Sequence, residues 1–377
     1  MFCLFPAMEF EQGGCFLPIS PPEGEMAGRP EGGATHASRA GCNPVAGGMN
    51  RALRLIARRA LASIPVLLIV VVLTFLLLEM AAGDAVDAYL LSIGGGDATV
   101  AQSLRAAYGL DQSMPARLWL YLTSLARLDL GWSVAFGRPV RDLIVERLPN
   151  TLLLMGSATA LSFGLGSALG ILAGARPGSF RDRALSTASL VLYAIPSFWL
   201  GLVLSIVFAV QLRWLPTSGI ETIASGRTGL ARAADIAAHL ALPVGTLALI
   251  YTALFLRVMR AGMAEVWSMD FVLFARSKGL SRVRIVLRHV ARNALLPLVT
   301  MLGLQAARMI GGSVVIESIF AIPGFGRLAQ EAVGGRDTAL LTGIIVTSAV
   351  LVIAVNLAVD IVYALLDPRV GASERGA

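Results

Sequence analysis

The stretch LALPVGTLALIYTALFLRVMRAG (residues 240–262) runs without a break into MAEVWSMDFVLFARSKGLSRVRIVLRHVARNALLP (residues 263–297). The first part is apolar for about as long as a helix needs to cross a hydrocarbon layer of about 30 Å. The second carries Arg276, Lys278, Arg282, Arg284, Arg288 and Arg292, opposed only by Glu265 and Asp270. An apolar helix that ends in a basic loop is the mark of a membrane span with that loop on the cytoplasmic side. Comparable apolar runs lie at about 61–80, 151–173, 185–211, 294–316 and 340–366. One such run fits a buried core helix as well as a span. Six of them, separated by polar loops, predict an all-α polytopic membrane protein with about six transmembrane helices. Composition agrees, because 56% of the 377 residues are hydrophobic and 15% are charged, too few to clothe a soluble domain of this length.

Basic residues orient the spans. Arg51, Arg54, Arg58 and Arg59 precede the first run, Arg176, Arg181 and Arg183 separate the second from the third, and the 263–297 stretch separates the fourth from the fifth. With six spans these segments share one side, so the cytoplasm is expected to hold both termini and the second and fourth loops. Residues 1–48 are rich in Gly and Pro without an apolar period and read as a disordered extension before Met49. A signal peptide is a weaker reading of the Arg-rich start, since the run from Leu61 is long for a signal core. Residues 49–146 hold the first span and an extracytoplasmic insertion with short helices, one expected to start at Pro115. Residues 147–366 form the core domain, and 367–377 a short cytoplasmic tail. Pro196 is expected to kink or break the third span.

Several function classes are excluded or weakened. A phosphate-cradling loop needs Lys followed by Ser or Thr after a Gly-rich turn. Lys278 is the only lysine of the chain and is followed by Gly279, so ATP has no such loop here. The net charge of +7 is spread beside apolar runs and forms no soluble patch, which favours a lipid surface over nucleic acid. Cys3, Cys15 and Cys42 fit no common zinc spacing, and His36, His239 and His289 form no HExxH pair, so no metal site is expected. A membrane-embedded enzyme would need a base at the depth of a nucleophile, and the histidines fall at span boundaries. A secondary transporter would show paired internal repeats, and none is apparent.

Within the basic loop, Val283, Val286, Leu287 and Val290 recur at helical spacing on one side of Gly279. This predicts two short amphipathic helices joined near Gly279, where glycine permits a turn other residues resist. The residues Asp270, Ala275-Arg276-Ser277-Lys278-Gly279-Leu280, His289, Arg292-Asn293 and Pro297 resemble the EAA loop of binding-protein-dependent ABC importers, in the version found in peptide and nickel permeases. The resemblance covers nearly everything after Met49. It extends to Tyr108-Gly109-Leu110-Asp111-Gln112, Asp129-Leu130-Gly131-Trp132-Ser133, Arg147-Leu148-Pro149-Asn150-Thr151, Ile195-Pro196-Ser197-Phe198-Trp199, Pro323-Gly324-Phe325-Gly326 and Asp367-Pro368-Arg369, which match the first of the two permease types. The family usually has Ala at Ser277. It favours Pro-Gly-Asp-Pro where this chain has Ala82-Gly83-Asp84-Ala85, and often has a proline at Ala339.

The resemblance implies the type I ABC importer transmembrane fold, with a coupling loop at about 263–293 that docks on a separate ATPase subunit. It implies a second homologous permease, two ATPase subunits that bind ATP and Mg, an extracytoplasmic solute-binding protein and a location in the bacterial inner membrane. Alternating access would carry di- or oligopeptides, nickel complexes or glutathione-like compounds. Charged groups inside spans usually face a bundle interior or water. Arg308, in the outer half of the fifth run, is read equally as a contact for a carboxylate-bearing substrate and as a snorkelling residue. Asn356, Asp360 and Tyr363 share one face of the sixth run, and Asp360 is expected to pair with a loop arginine. Glu317 is expected to lie at the water boundary.

Overall fold

The computed structural model describes residues 61–77, 80, 86–87, 90, 95, 97–107, 111–312 and 314–366. The predicted disordered extension, the Arg51–Arg59 cluster, the three cysteines, Ala82-Gly83-Asp84-Ala85 and the tail fall outside the described residues. Helix α1 covers Leu61–Leu77. Two short helices follow, α2 (Ala98–Ala107) and α3 (Met114–Ala126). A two-residue antiparallel ladder, β1 (Trp132–Ser133) with β2 (Arg138–Pro139), was not foreseen. Then come α4 (Val140–Gly174), α5 (Phe180–Ala194), α6 (Ser197–Leu204) with a π-helical continuation Ser205–Gln211, and α7 (Gly229–Trp267). Helix α8 (Asp270–Ser277) leads to α9 (Arg282–Arg284), a π-helical segment Ile285–Val290 and α10 (Ala291–Gly312). The chain closes with α11 (Val314–Ile319), α12 (Phe325–Gly334) and α13 (Thr338–Leu366).

Among the described residues, four helices are long and apolar enough to cross a membrane; α5 and α6, bent by 98° at their junction, are together long and apolar enough for a fifth, counted as one broken span. The expected break at Pro196 is therefore present. Ile195 adopts φ −77° and ψ 128°, the extended conformation that a following proline imposes. Helix α1 is apolar but shorter, and residues 78–79 at its end lie outside the description. Two spans, α4 and α7, are longer than their apolar runs. Helix α4 starts at Val140, ahead of the apolar run, because Val140, Leu143 and Ile144 pack with Phe325, Leu328, Leu340 and Ile344. Helix α3 starts at Met114, one residue before Pro115.

Small residues set the most extensive helix contact. On α4, Gly166, Gly170 and Gly174 recur every fourth residue and so share one face. They meet Phe255, Met259 and Met263, which have the same spacing on α7. A Cβ added at Gly166 or Gly170 would lie 2.5 Å from the Cβ of Phe255 or Met259. Both helices run in the same direction here, so α5 and α6 together return the chain between them. In lipid, where helices gain little from apolar burial, this close backbone approach supplies the packing.

Two buried carboxylates lock the end of the bundle opposite the basic loop. Glu317 is fully buried rather than at a water boundary. It accepts hydrogen bonds from the Thr151 hydroxyl (2.7 Å) and the Arg327 amide (2.9 Å), while Thr151 accepts from the Phe325 amide (2.8 Å). The Asn150 amide group donates to the Pro323 carbonyl at 2.7 Å. Gly324 and Gly326 press on the carboxylate, and a Cβ at Gly324 would come within 2.3 Å of it. Asp337, equally buried, accepts from the Ser133 hydroxyl and the amides of Ala135 and Leu340 at 2.6, 3.0 and 3.0 Å. Motifs distant in sequence, at 147–151 and 323–326 or at 129–133 and 336–337, are joined by these two groups.

Gly170→Val should force α4 from α7 and lower thermal stability in detergent by about 1–3 kcal/mol. Gly164→Ala, with no atom near its Cβ, should leave the melting temperature unchanged. Glu317→Ala strands the donors of Thr151 and Arg327, at about 1–3 kcal/mol for each left unpaired. A thermal melt equal to the parent's would disprove that role.

Candidate functional site: the 263–293 loop

The loop grows out of α7. Helix α7 ends as the Ser268 and Met269 amides bond back to the carbonyls of Glu265 and Val266. Helix α8 then begins at Asp270, whose charge suits the positive end of the helix dipole. The turn after α8 is closed by the Lys278 amide on Phe274 and the Gly279 amide on Arg276. Gly279 has φ +72°, a left-handed conformation that side chains with a Cβ resist. Two short helices joined at Gly279 are thus present as expected, with the π-helical Ile285–Val290 segment merging the second into α10.

Each loop helix has two faces. Val272 and Ala275 of α8, with Ile285, Val286 and Val290, join one core cluster with Phe255, Met259 and Met263 of α7. The opposite face is apolar but uncovered, with Leu273 67% and Phe274 61% exposed, and Val283 and Leu287 69% and 57%. The helical spacing of Val283, Val286, Leu287 and Val290 therefore serves both faces. Charges ring this surface. The Arg276 and Arg282 guanidiniums lie 4.9 and 5.9 Å from the centre of the Trp267 ring, and the Lys278 ammonium lies 4.3 Å from that of Phe274.

The remaining predicted loop residues fall into place around these two faces. Leu280 packs partly against the core cluster. His289 is half-buried, and its carbonyl accepts from the Asn293 side chain at 2.7 Å. Arg292 is exposed, and Pro297 lies inside α10 on an exposed position. Ser277, at the family's alanine position, spends its hydroxyl on the Leu273 and Phe274 carbonyls, both at 3.1 Å, so the exchange leaves the helix intact.

Three groups that hold the loop were missed by sequence reading. Trp267 donates from its indole to the Gly174 carbonyl at 2.8 Å, and Arg282 bonds the Ala175 carbonyl at 3.0 Å. Both grip the end of α4. Asp182, buried at the start of α5, takes both arms of the Arg260 guanidinium, plus the Gly178 amide at 2.9 Å. Asp182 was readable as the lone acid among Arg176, Arg181 and Arg183. Its partner, 78 residues on, was not.

Arg308, Asn356 and Asp360 are the candidates for the translocation path. Arg308 is exposed on α10, and Asn356 is exposed on α13. The Asp360 and Tyr363 side chains lie outside the described residues, so the expected pairing of Asp360 with a loop arginine is untested.

The bundle and its basic, apolar-faced loop define a multi-pass membrane transport subunit. Residues 166–372 match the family model described as binding-protein-dependent transport system inner membrane component, and residues 52–155 match its N-terminal companion. The chain belongs to this family. It is a transport subunit, not an enzyme, of a kind that associates with ATPase and substrate-binding components. It is 38% identical over 320 residues to the oligopeptide transport system permease protein AppB of Bacillus subtilis, covering 84% of this chain and 98% of that one. A putative peptide transport system permease protein of Brucella abortus is 37% identical, with the same shares covered. A probable peptide ABC transporter permease protein of Sinorhizobium fredii also reaches 37%, again over 84% of this chain and 98% of its own. Among solved structures, an inward-facing MetNI methionine ABC transporter chain aligns with TM-score 0.49 and 17% identity, over 60% of this chain and 96% of that chain.

Gly279→Val should open the loop, raising amide hydrogen exchange across 270–290 while α4 and α7 stay protected. Gly279→Asn, which tolerates this backbone region, should show far less. Left-handed strain of about 1–2 kcal/mol predicts the difference, and equal exchange in both variants would refute it.

Proposed function

We propose that this chain is the path-forming permease of an ATP-driven peptide importer in a bacterial cytoplasmic membrane. The observation that carries this reading is the uncovered face of the 263–293 loop, where Leu273, Phe274, Val283 and Leu287 stand out among basic side chains. A surface of this composition fits a cleft on a partner protein, and helix-in-groove docking by apolar anchors is a common recognition mode. Relatives named as peptide permeases, matched along nearly their whole length, point to the cargo. Nickel complexes and glutathione-like compounds are the minor alternatives.

In this reading the basic loops and both termini are cytoplasmic. A second homologous permease completes the path, two ATPase subunits bind ATP and Mg, and an extracytoplasmic binding protein delivers the solute. ATP binding closes the ATPases, and the loop transmits that motion to α7 and α10. The path opens alternately to either side. Arg308, exposed on α10, is a contact for a substrate carboxylate, and Asn356 and Asp360 on α13 are candidates for the same path.

Proteoliposomes holding both permeases, the ATPases and lumenal ATP should take up peptides delivered by the loaded binding protein. Leu273→Asp with Phe274→Asp should abolish capture of the ATPase subunits while the permease still inserts. Uptake driven by an ion gradient without any ATPase would sink the proposal.

A further inference from the structure

A group of polar side chains lies further into the bundle than the loop and takes no part in it. The Arg257 guanidinium of α7 lies 4.5 Å from the centre of the Tyr193 ring, at the end of α5. Tyr193 and Gln305 of α10 are both neighbours of Tyr251 on α7. Gln305 is buried at 7% exposure, whereas Tyr193 is half open at 51%. Three helices thus bring one cation, two phenols and one amide to a place that can be reached from outside the subunit.

Arg257 is chemically unlike Arg260, one turn along the same helix. Arg260 is paired with the buried Asp182. Among the described residues no carboxylate pairs with Arg257, and its Nε is buried without a hydrogen-bond acceptor. A buried donor in that state costs free energy until an acceptor arrives. Reaching for lipid headgroups does not account for it. Between Asp235 and Arg257, α7 carries no charged side chain for ~20 residues, about 30 Å of helix. Arg257 therefore sits at the loop-side edge of the hydrocarbon layer, and a headgroup-seeking arginine there would extend towards the loop. Helical side chains lean towards the N-terminus, which on α7 is away from the loop. The guanidinium lies instead against the ring of Tyr193.

We infer that Arg257, stacked on Tyr193, is a carboxylate-binding station in the loop-side half of the path that takes the C-terminal carboxylate of a peptide, with Tyr251 and Gln305 on the far side of Tyr193. The inference rests on the peptide-importer reading. A guanidinium presents a planar fork that matches a carboxylate. The phenols and the amide can hydrogen-bond a peptide backbone, and none of them selects a side chain. Such a station accepts peptides of many sequences yet requires the free carboxylate. Gln305 lies one turn from Arg308 on α10, so a carboxylate released by Arg308 has this group next on its way.

The test uses the full complex in proteoliposomes, with saturating binding protein loaded with one tripeptide as the free acid or as its C-terminal amide. The parent should import the acid about tenfold faster, the size of one charge-assisted hydrogen bond. Arg257→Gln should bring the two rates within about twofold of each other, and Arg257→Lys should keep part of the preference. Equal rates for acid and amide in the parent, which needs no variant, overturn the inference. So does an unchanged preference in Arg257→Gln, or a loss of uptake in that variant equal for both peptides and restored by phosphatidylglycerol, which would mark a lipid contact. If the parent imports neither peptide while hydrolysing ATP, the peptide reading itself falls, and this inference with it.

Discussion

Close contact between α4 and α7 is the constraint on which the rest of the subunit depends. Three glycines on one helix face and two methionines with a phenylalanine on the other interlock at four-residue intervals. The register this imposes continues past the last glycine. Gly174 ends α4 against Met263, which brings the Trp267 indole to the Gly174 carbonyl and Arg282 to that of Ala175. The loop is therefore anchored to the ends of two helices whose relative position has little slack. A loop hung on one helix end alone would pivot. This one has its inner face continuous with the α7 core, through Val272, Ala275, Val286 and Val290.

The opposite end is held by a different kind of bond. Where residues 320–340 fold back over α4, the backbone has many amides to satisfy and little room for water. Glu317 and Asp337 satisfy several of them at once from buried positions. A buried carboxylate is costly unless several donors converge on it, and here the donors are drawn from segments more than 150 residues apart. These groups act as staples whose removal leaves amides without partners. The glycines at 324 and 326 are required by the approach of the carboxylate itself.

Much of the fold could be read from the sequence, because apolar length and the distribution of arginines act locally. The break at Pro196, the two loop helices and the turn at Gly279 follow from proline, helical spacing and glycine. Helix ends were less legible. Val140–Leu148 of α4 is helical because of packing against α12 and α13, which no local pattern reports. Glu317 looked like a boundary residue because its neighbours suggested the end of a span. Its role depends on Thr151, found only once the chain is folded. The loop was legible as a motif and in its helices, but not in which of its valines face outwards. Val283 and Val286 are equivalent as letters, and only the position of α7 separates them.

Helix α7 links the two ends of the proposed mechanism. Its last turns carry the loop, and one to three turns earlier it carries Arg260 with Asp182, and Arg257 against Tyr193. Asp182 and Tyr193 are at opposite ends of α5, the first half of the bent span. A displacement of the loop passed rigidly along α7 thus acts on α5 at two points at once, one a closed ion pair and one an arginine with no carboxylate among the described residues. The paired site resists separation. The unpaired site can change partner at little cost, since its buried Nε has no bond to break. In the importer reading, this asymmetry lets loop movement tilt α5 about its Asp182 end. The gap that changes is then the one beside Arg257, where a carboxylate would be held or released.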